Sequence, residues 1–573
     1  MTNIKRSRSG GEILVAQLRS QGVDHVFCVP GESYLAVLDA LVDSGIQVTV
    51  CRQEGGAAMM AEAYGKLTGR PGICMVTRGP GVTNAFAGIH IAKQDSTPLI
   101  VFVGQIEKGM REREAFQEID YKSVFHDQTK WTTEIDDADR IPELVSRAFH
   151  VAMSGRPGPV VIALPEDMLV DVADVCDAPR VEPVDTAPPL KEMERFWSIL
   201  TQARRPLVIL GGSRWSESAV SDISKWAGEL HLPVSVEFRR QHLFSADHPC
   251  YVGDIGLGIN PQLLDYAKHA DVILLLGGRM SEVASQSYRL LNIPVPTQTL
   301  IHVHPDSQEL NRVYQAHLAI NASPGQFLYA CRQGTNARSE FDGWKQSTQT
   351  LREQYEAWSN PDPVTIPGPL QMGRIMRYLA DHLDRDAILT NGAGNYSGWV
   401  HRFHRYTAYN SQLAPTSGSM GYGVPAAVCA KRLTPDRQVI SISGDGCFLM
   451  HGQEFATAVQ YGLNIIFLVF DNGIYGTIRM HQEMHYPGRV IATTLKNPDF
   501  KAYAIAFGGH GERVETTEQF GPAFERAVAS GKPALLHCLL DPQAITPTST
   551  LDQIRQNSMQ TLRNRQAEVG TTQ

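Results

Sequence analysis

Three blocks of short apolar runs, separated by amphipathic stretches and closed by glycine turns, predict an α/β fold of three doubly wound parallel-sheet domains. In the first block Val26-Phe27-Cys28-Val29 reads as a strand, Pro30-Gly31 as a turn, and Tyr34 to Val42 as a helix. Ile73-Cys74-Met75-Val76-Thr77 and Leu99-Ile100-Val101-Phe102-Val103 continue the sheet. Runs apolar at every position, not at alternate ones, belong to strands buried on both faces. The second block starts at Pro206-Leu207-Val208-Ile209-Leu210 and continues through Val272 to Leu276 and Ile301 to His304. The third holds Ala387-Ile388-Leu389, Val439 to Ser443 and Ile465 to Phe470, and repeats the strand, glycine turn and helix order of the first. The expected boundaries are residues 1–178, 190–335 and 365–545, with a polar tail over 546–573. Proline-rich Cys176 to Pro189 and polar Thr335 to Pro369 read as connecting segments.

Composition excludes several classes of protein. A chain of 573 residues suggests about three or four domains. Hydrophobic residues make up 43% and charged residues 20%, ordinary for a globular chain. The net charge of -8 is spread along the chain, with no basic stripe for nucleic acid and no acidic tail. The longest apolar runs, such as Leu463 to Phe470, are too short to span a bilayer. Basic, polar Met1 to Arg8 lacks the apolar stretch of a signal peptide. Nine cysteines without a Cys-x-x-Cys pair fit a reducing cytoplasm better than a disulfide framework or a zinc site.

Two motifs carry chemistry. Val439-Ile440-Ser441-Ile442-Ser443 runs into Gly444-Asp445-Gly446-Cys447-Phe448, then a helix bearing Glu454 and Ala458. Glycines flanking an aspartate let backbone amides approach an anion, while the carboxylate can hold a hard cation. Beyond the next strand comes Asp471-Asn472-Gly473. Adjacent parallel strands would bring Asp445 and Asn472 to neighbouring carboxyl ends, where open α/β sheets bind ligands. The second motif is Glu54, which follows Val48-Thr49-Val50 and opens the small-residue helix Gly55-Gly56-Ala57-Ala58. A glutamate there caps the helix or serves a ligand, and the small residues allow close approach of a ligand or a second subunit.

Gly444 to Asn472 resembles the thiamine-diphosphate signature of the superfamily that contains acetolactate synthase, pyruvate oxidase and pyruvate decarboxylase. The resemblance runs from about Gly10 to Leu551 and is nearest to acetolactate synthase large subunits. It implies thiamine diphosphate and Mg2+ as cofactors, with Asp445, Asn472 and the Ile474 carbonyl as metal ligands. It implies that Glu54 bonds the cofactor's pyrimidine, with Pro80 and Asn84 beside it. Gly392, Ala393, Gly394, Asn395 and Tyr396 resemble the diphosphate-contacting loop, and Gly444, Gly446 and Cys447 flank the aspartate. Gly418 and Met420 resemble the segment beneath the thiazolium, where the methionine bends the cofactor. The expected assembly is a homodimer or homotetramer with sites at the interface.

Phe116-Gln117-Glu118 looks like the acetolactate synthase pocket motif, with Gln117 as a donor to the reacting carbonyl. It implies decarboxylation of a 2-oxo acid such as pyruvate and transfer of the remaining two-carbon unit to a second carbonyl. Four departures stand out. Glu32 replaces a glycine and is either a proton donor or a helix-start carboxylate, Glu166 replaces a lysine, His481 replaces a tryptophan, and Asp471 replaces the first of two asparagines. Glu32 keeps open a decarboxylase that does not ligate, and a non-catalytic cofactor-binding homologue is the alternative of another class. The middle block resembles a domain that binds FAD in synthases and oxidases. Gly211-Gly212 and Gly277-Gly278 suit FAD, whereas His302 and His304 stand where acidic residues are common, and FAD stays open.

Overall fold

The computed structural model describes residues 7–333 and 344–570. The basic segment up to Arg6, the expected boundary at 335 and the start of the polar connection at Thr335 lie outside those residues. The described chain forms three six-stranded sheets, each parallel throughout. The first two belong to one unit, Met1–Arg352 with Ala408–Asn410, and the third to another, Glu353–Thr407 with Ser411–Gln573.

Across the first sheet the strands run Gln47–Val50, His25–Cys28, Gly72–Val76, Leu99–Gln105, Pro159–Pro165, Trp131–Glu134. Its core includes Val26, Ile73, Ile100 and Ile162, all within 1% of full burial. The helix Glu54–Thr68 is buried from Gly55 to Gly65. A Cβ on Gly88 of the neighbouring helix Gly79–Asp95 would lie 2.5 Å from that of Ala58, and one on Gly72 would lie 1.8 Å from the Ala61 carbonyl oxygen. The small residues after Glu54, read from sequence as room for a ligand or partner, are used here for packing within the chain. Charge is also paired inside this helix pair: Lys66 bridges Glu62 and Asp95, both fully buried, and Thr97 donates to Glu62 at 2.7 Å.

The central sheet runs Tyr251–Ile255, Val234–Glu237, Pro206–Leu210, Val272–Leu276, Thr299–His304, Leu318–Asn321. Numbered along its own chain this is 3-2-1-4-5-6, the order found in dinucleotide-binding folds. The polar stretch read as a connection holds a helix, Lys345–Trp358, whose Leu351 joins the central core.

The third sheet runs Gln412–Leu413, Ile388–Asn391, Val439–Gly444, Ile466–Asp471, Ala534–Leu539, His510–Val514. Its order, 2-1-3-4-6-5, is also that of the first sheet, so the repeat seen in sequence is a repeat of topology. The expected helix bearing Glu454 and Ala458 spans Glu454–Gln460, and the segment before it, read as a turn, is itself helical over Asp445–His451. The polar tail is also helical, over Leu551–Gly570. Among the described residues no helix is long and apolar enough to cross a membrane, and all nine cysteines are free thiols.

Candidate functional site

In a doubly wound sheet the chain leaves a crevice where strand order reverses, at the carboxyl ends of the strands. In the third sheet that point lies between Ile388–Asn391 and Val439–Gly444. Asn391-Gly392 leaves one strand and Gly444-Asp445 the other. A Cβ on Gly392 would lie 2.5 Å from Cys447 Sγ, and one on Gly446 would lie 2.6 Å from a Tyr475 ring carbon. The Tyr396 hydroxyl accepts from Gly392 N at 3.0 Å and meets Cys447 Sγ at 3.3 Å. Asn395 donates to the Ile545 carbonyl at 3.1 Å and accepts from Thr477 at 2.9 Å. Gly394 takes φ 149° and exposed Gly418 takes φ 71°, the latter strained for an L-residue. Ala393 is half-buried, and Met420 packs against the core of this domain.

Asp445 sits at the centre. Its carboxylate accepts from Gly473 N at 3.1 Å and from Asn497 Nδ2 at 2.6 Å. The same Asn497 amide donates to Asp471 at 2.8 Å, and Asp471 also meets His537 Nε2 at 2.9 Å. Burial pushes the Asp445 carboxyl up to about 6, and nearby Asp471 adds to the rise. Burial also raises Asp471, but bonds from His537, Asn497 and Gly473 N outweigh it and leave this acid below its ordinary value. Asn472 Oδ1 accepts from Ile474 N at 3.3 Å, and Ile474 forms an isolated bridge with Thr494. The described residues hold no cluster of three or more His, Cys, Asp or Glu able to bind a metal. Asp445 supplies a buried carboxylate, and Gly473 N ties it to the turn that carries Asn472 and Ile474; oxygen donors of these kinds are what a hard divalent cation takes. The residues therefore fit a magnesium–diphosphate group.

Asn497 and His537 were not found by sequence reasoning. Lys496-Asn497-Pro498 reads as an ordinary loop, and His537 lies inside an apolar strand. The Asp471 departure was the only available signal, since a second buried acid needs a partner.

The corresponding crevice of the first sheet lies between His25–Cys28 and Gly72–Val76. Glu54 begins its helix one residue after the N-cap Gln53 and accepts from Asn84 Nδ2 at 3.0 Å. Its other oxygen would lie 3.6 Å from a Cβ on Gly81. Pro80 and Asn84 are exposed in the single chain. Gln117 takes φ 65° and its carbonyl accepts from Gly79 N at 3.1 Å, which docks the loop on the same turn. Glu112 and Glu114 also have positive φ, 62° and 53°. The Glu118 carboxylate holds this strained loop by accepting from Glu112 N at 2.7 Å and Ala115 N at 3.0 Å. Phe116 is 78% exposed.

Of the departures, Glu166 pairs with Arg78 at 2.9 Å. Burial raises this acid, Arg78 opposes the rise, and Glu32 is among the acids adding to it. Glu32 itself is exposed at the start of a short 3-10 helix, and His481 is exposed on the helix Gly476–His485.

Family models for thiamine pyrophosphate enzymes match the chain three times: the N-terminal TPP binding domain over residues 8–124, the central domain over 193–331 and the C-terminal TPP binding domain over 392–538. The chain belongs to the thiamine pyrophosphate enzyme family. Within the family it is acetolactate synthase-like. The large subunit of acetolactate synthase isozyme 2 from Escherichia coli is 31% identical over 536 residues, covering 93% of this chain and 96% of that one. A probable acetolactate synthase large subunit from Methanocaldococcus jannaschii is 29% identical over 554 residues, with 94% and 93% covered. The acetolactate synthase large subunit of Corynebacterium glutamicum is 28% identical over 535 residues, with 91% and 84% covered. The two crevices described above, one bearing Glu54 and one bearing Asp445, fall within or beside the matched N- and C-terminal domains of this thiamine pyrophosphate enzyme.

Proposed function

We propose that this enzyme decarboxylates a 2-oxo acid such as pyruvate and joins the remaining two-carbon unit to a second carbonyl, using thiamine diphosphate and Mg2+. The observation that carries the reading is the presence in one chain of a carboxylate at each of two topologically equivalent crevices, Glu54 and Asp445. When bound, thiamine diphosphate supplies the carbon nucleophile and the electron sink that a decarboxylation requires.

The protein's part is holding and positioning. Asp445, Asn472 and the Ile474 carbonyl would hold Mg2+, with Gly392 to Tyr396 and Gly444 to Cys447 around the diphosphate. Asn497 keeps the Asp445 carboxylate in place, which supports a ligand role for that residue. Glu54, fixed through one oxygen by Asn84, would hold a proton on the other toward the pyrimidine. Met420 and the Gly418 carbonyl would set the cofactor's bend. Gln117 would donate to the reacting carbonyl, and the Glu118 tie on its loop supports that placement. Exposed Pro80 and Asn84 support a homo-oligomer, dimer or tetramer, in which a partner subunit covers them.

Glu32 favours a second reading, a decarboxylase that protonates the two-carbon unit and releases an aldehyde. It is exposed and close enough to Glu166 to raise that acid. Product analysis with pyruvate decides between them. Acetolactate or acetoin supports ligation, acetaldehyde alone supports the second reading, and cofactor binding without carbon dioxide release overturns both.

A further inference from the structure

The central sheet has the strand order of a dinucleotide-binding fold, and its crevice lies between Pro206–Leu210 and Val272–Leu276. Each strand leads into a glycine pair, Gly211-Gly212 and Gly277-Gly278. In such folds glycines at this point make room for a pyrophosphate, which backbone N–H groups then bind. Here the room is filled by Glu237, the last residue of Val234–Glu237. Its side chain is buried, and one oxygen accepts from Arg279 N at 3.1 Å and Met280 N at 2.7 Å. A Cβ on Gly211 would lie 2.0 Å from a Glu237 oxygen, and a Cβ on Gly278 would lie 2.6 Å from its carboxyl carbon.

An acid at the end of the second strand could instead read a ribose hydroxyl. Glu237 does not extend outward in that way. It lies across both glycine turns and is occupied by two backbone donors.

Several cations around the crevice are also engaged. Arg279 donates to the Gln94 carbonyl at 2.7 Å, and Arg240 donates to those of Asp95 at 3.0 Å and Gly212 at 2.9 Å. Arg156, which lies between the helix Ile141–Met153 and the strand Pro159–Pro165 of the first domain, donates to the Lys93 carbonyl at 2.5 Å and pairs with Glu309 of the central domain at 3.0 Å. Lys93, Gln94 and Asp95 form the last turn of the helix Gly79–Asp95, whose carbonyls lack helical partners and whose dipole favours positive charge. Arg214 donates to Val184 O and pairs with Asp185. His302 bonds the Gly278 carbonyl at 2.9 Å, and burial lowers its basicity.

We propose that the central domain binds no flavin or other dinucleotide, because the Glu237 carboxylate is the anion of this crevice and its arginines cap the helix that carries Pro80 and Asn84. The glycines make room for the chain's own side chain. The domain's work is to brace the first domain.

The test uses the full chain reconstituted with thiamine diphosphate and Mg2+. Protein from riboflavin-replete cells should release no flavin on heating, and added FAD or ADP should leave its Tm unchanged. Glu237→Ala orphans two buried N–H groups and should lower Tm by about 5 °C or more. Acetate or formate should restore part of that loss in the variant and do nothing for the wild type. Near-stoichiometric flavin in the wild type, or a Tm raised by FAD or ADP, would overturn the proposal. So would a folded Glu237→Ala that no small anion rescues. If the variant does not fold, flavin content and the wild-type shifts decide alone.

Discussion

The helix Leu551–Gly570 is joined to the site-bearing domain through one fully buried acid, Glu483, and Arg555→Ala tests what that joint contributes. Arg555 donates from Nε and Nη2 to the two Glu483 oxygens at 2.8 and 2.7 Å. Arg479 adds a bond at 3.1 Å and Gly488 N another at 2.9 Å. Led by the Arg555 bond, these donors hold the Glu483 carboxyl at about 2, well below its ordinary 4.5. That depression corresponds to about 3 kcal/mol at neutral pH. Removing Arg555 leaves Arg479 and Gly488 in place, so the expected loss is about 2–3 kcal/mol, below the full cost of stranding a buried charge.

The loss should be local. Glu483 lies on Gly476–His485, the helix that follows Asn472 and Ile474. Amide exchange in that helix should therefore speed up about 30- to 150-fold in Arg555→Ala, with the first two sheets unchanged. Because the folded carboxyl is depressed, its contribution is complete above pH 4.5 and disappears as pH falls through about 2. The difference between variant and wild type should shrink over that window. Arg555→Lys should restore only part of it, since an ammonium cannot make the two parallel bonds. Equal exchange rates in variant and wild type at neutral pH would refute the reasoning, as would a difference that persists unchanged at pH 2.

Four further outcomes are expected. Asn497→Ala should weaken divalent-cation binding about 10- to 100-fold, read by Mn2+ titration, because Asp445 loses the amide that fixes it. Glu54→Gln should slow exchange of the thiamine C2 proton about 100-fold or more without altering the circular dichroism spectrum. Glu118→Ala should release the strained 111–118 loop, so that limited proteolysis cuts there and kcat/KM falls while Mn2+ affinity holds. Gly72→Ala puts a methyl 1.8 Å from the Ala61 carbonyl oxygen and should cost at least about 3 kcal/mol in urea unfolding or prevent folding.

Sequence showed what is local and periodic. Continuous apolar runs such as Val272 to Leu276 mark strands buried on both faces, and the glycine turns after them mark where the crevices lie. Gly444-Asp445-Gly446 and Glu54 were legible because their chemistry sits in adjacent residues. What stayed hidden depends on long-range pairing. Asn497 bridges Asp445 and Asp471 from 52 and 26 residues away, and His537 reaches Asp471 across 66. The tail read only as a polar segment, because the partners that hold it are distant in sequence. Arg555 meets Glu483, 72 residues upstream, and Ser558 donates to the Met484 carbonyl. The glycine pairs of the central block left FAD open in sequence for a related reason: a glycine records that something approaches closely, not what approaches.

The first and third sheets share one strand order and carry different side chains at their crevices. In both, the crevice lies between the first and third strands, and the second strand pairs with the outer side of the first. After the second strand the first sheet places Glu54, while the third places Gly418 and Met420. After the third strand the first sheet places Arg78-Gly79-Pro80-Gly81, while the third places Asp445-Gly446. Loops at the same place in the strand order thus carry an acid in one domain and a thioether in the other, and a guanidinium in one and a carboxylate in the other. Strand order fixes where chemistry can occur in each domain, and loop residues decide which chemistry it is. The central sheet makes the same point in reverse. Its 3-2-1-4-5-6 order is that of dinucleotide-binding folds, and the Glu237 side chain at the end of its second strand lies against both glycine pairs. In this enzyme, topology is therefore a guide to the location of ligands only after the side chains at each crevice have been examined.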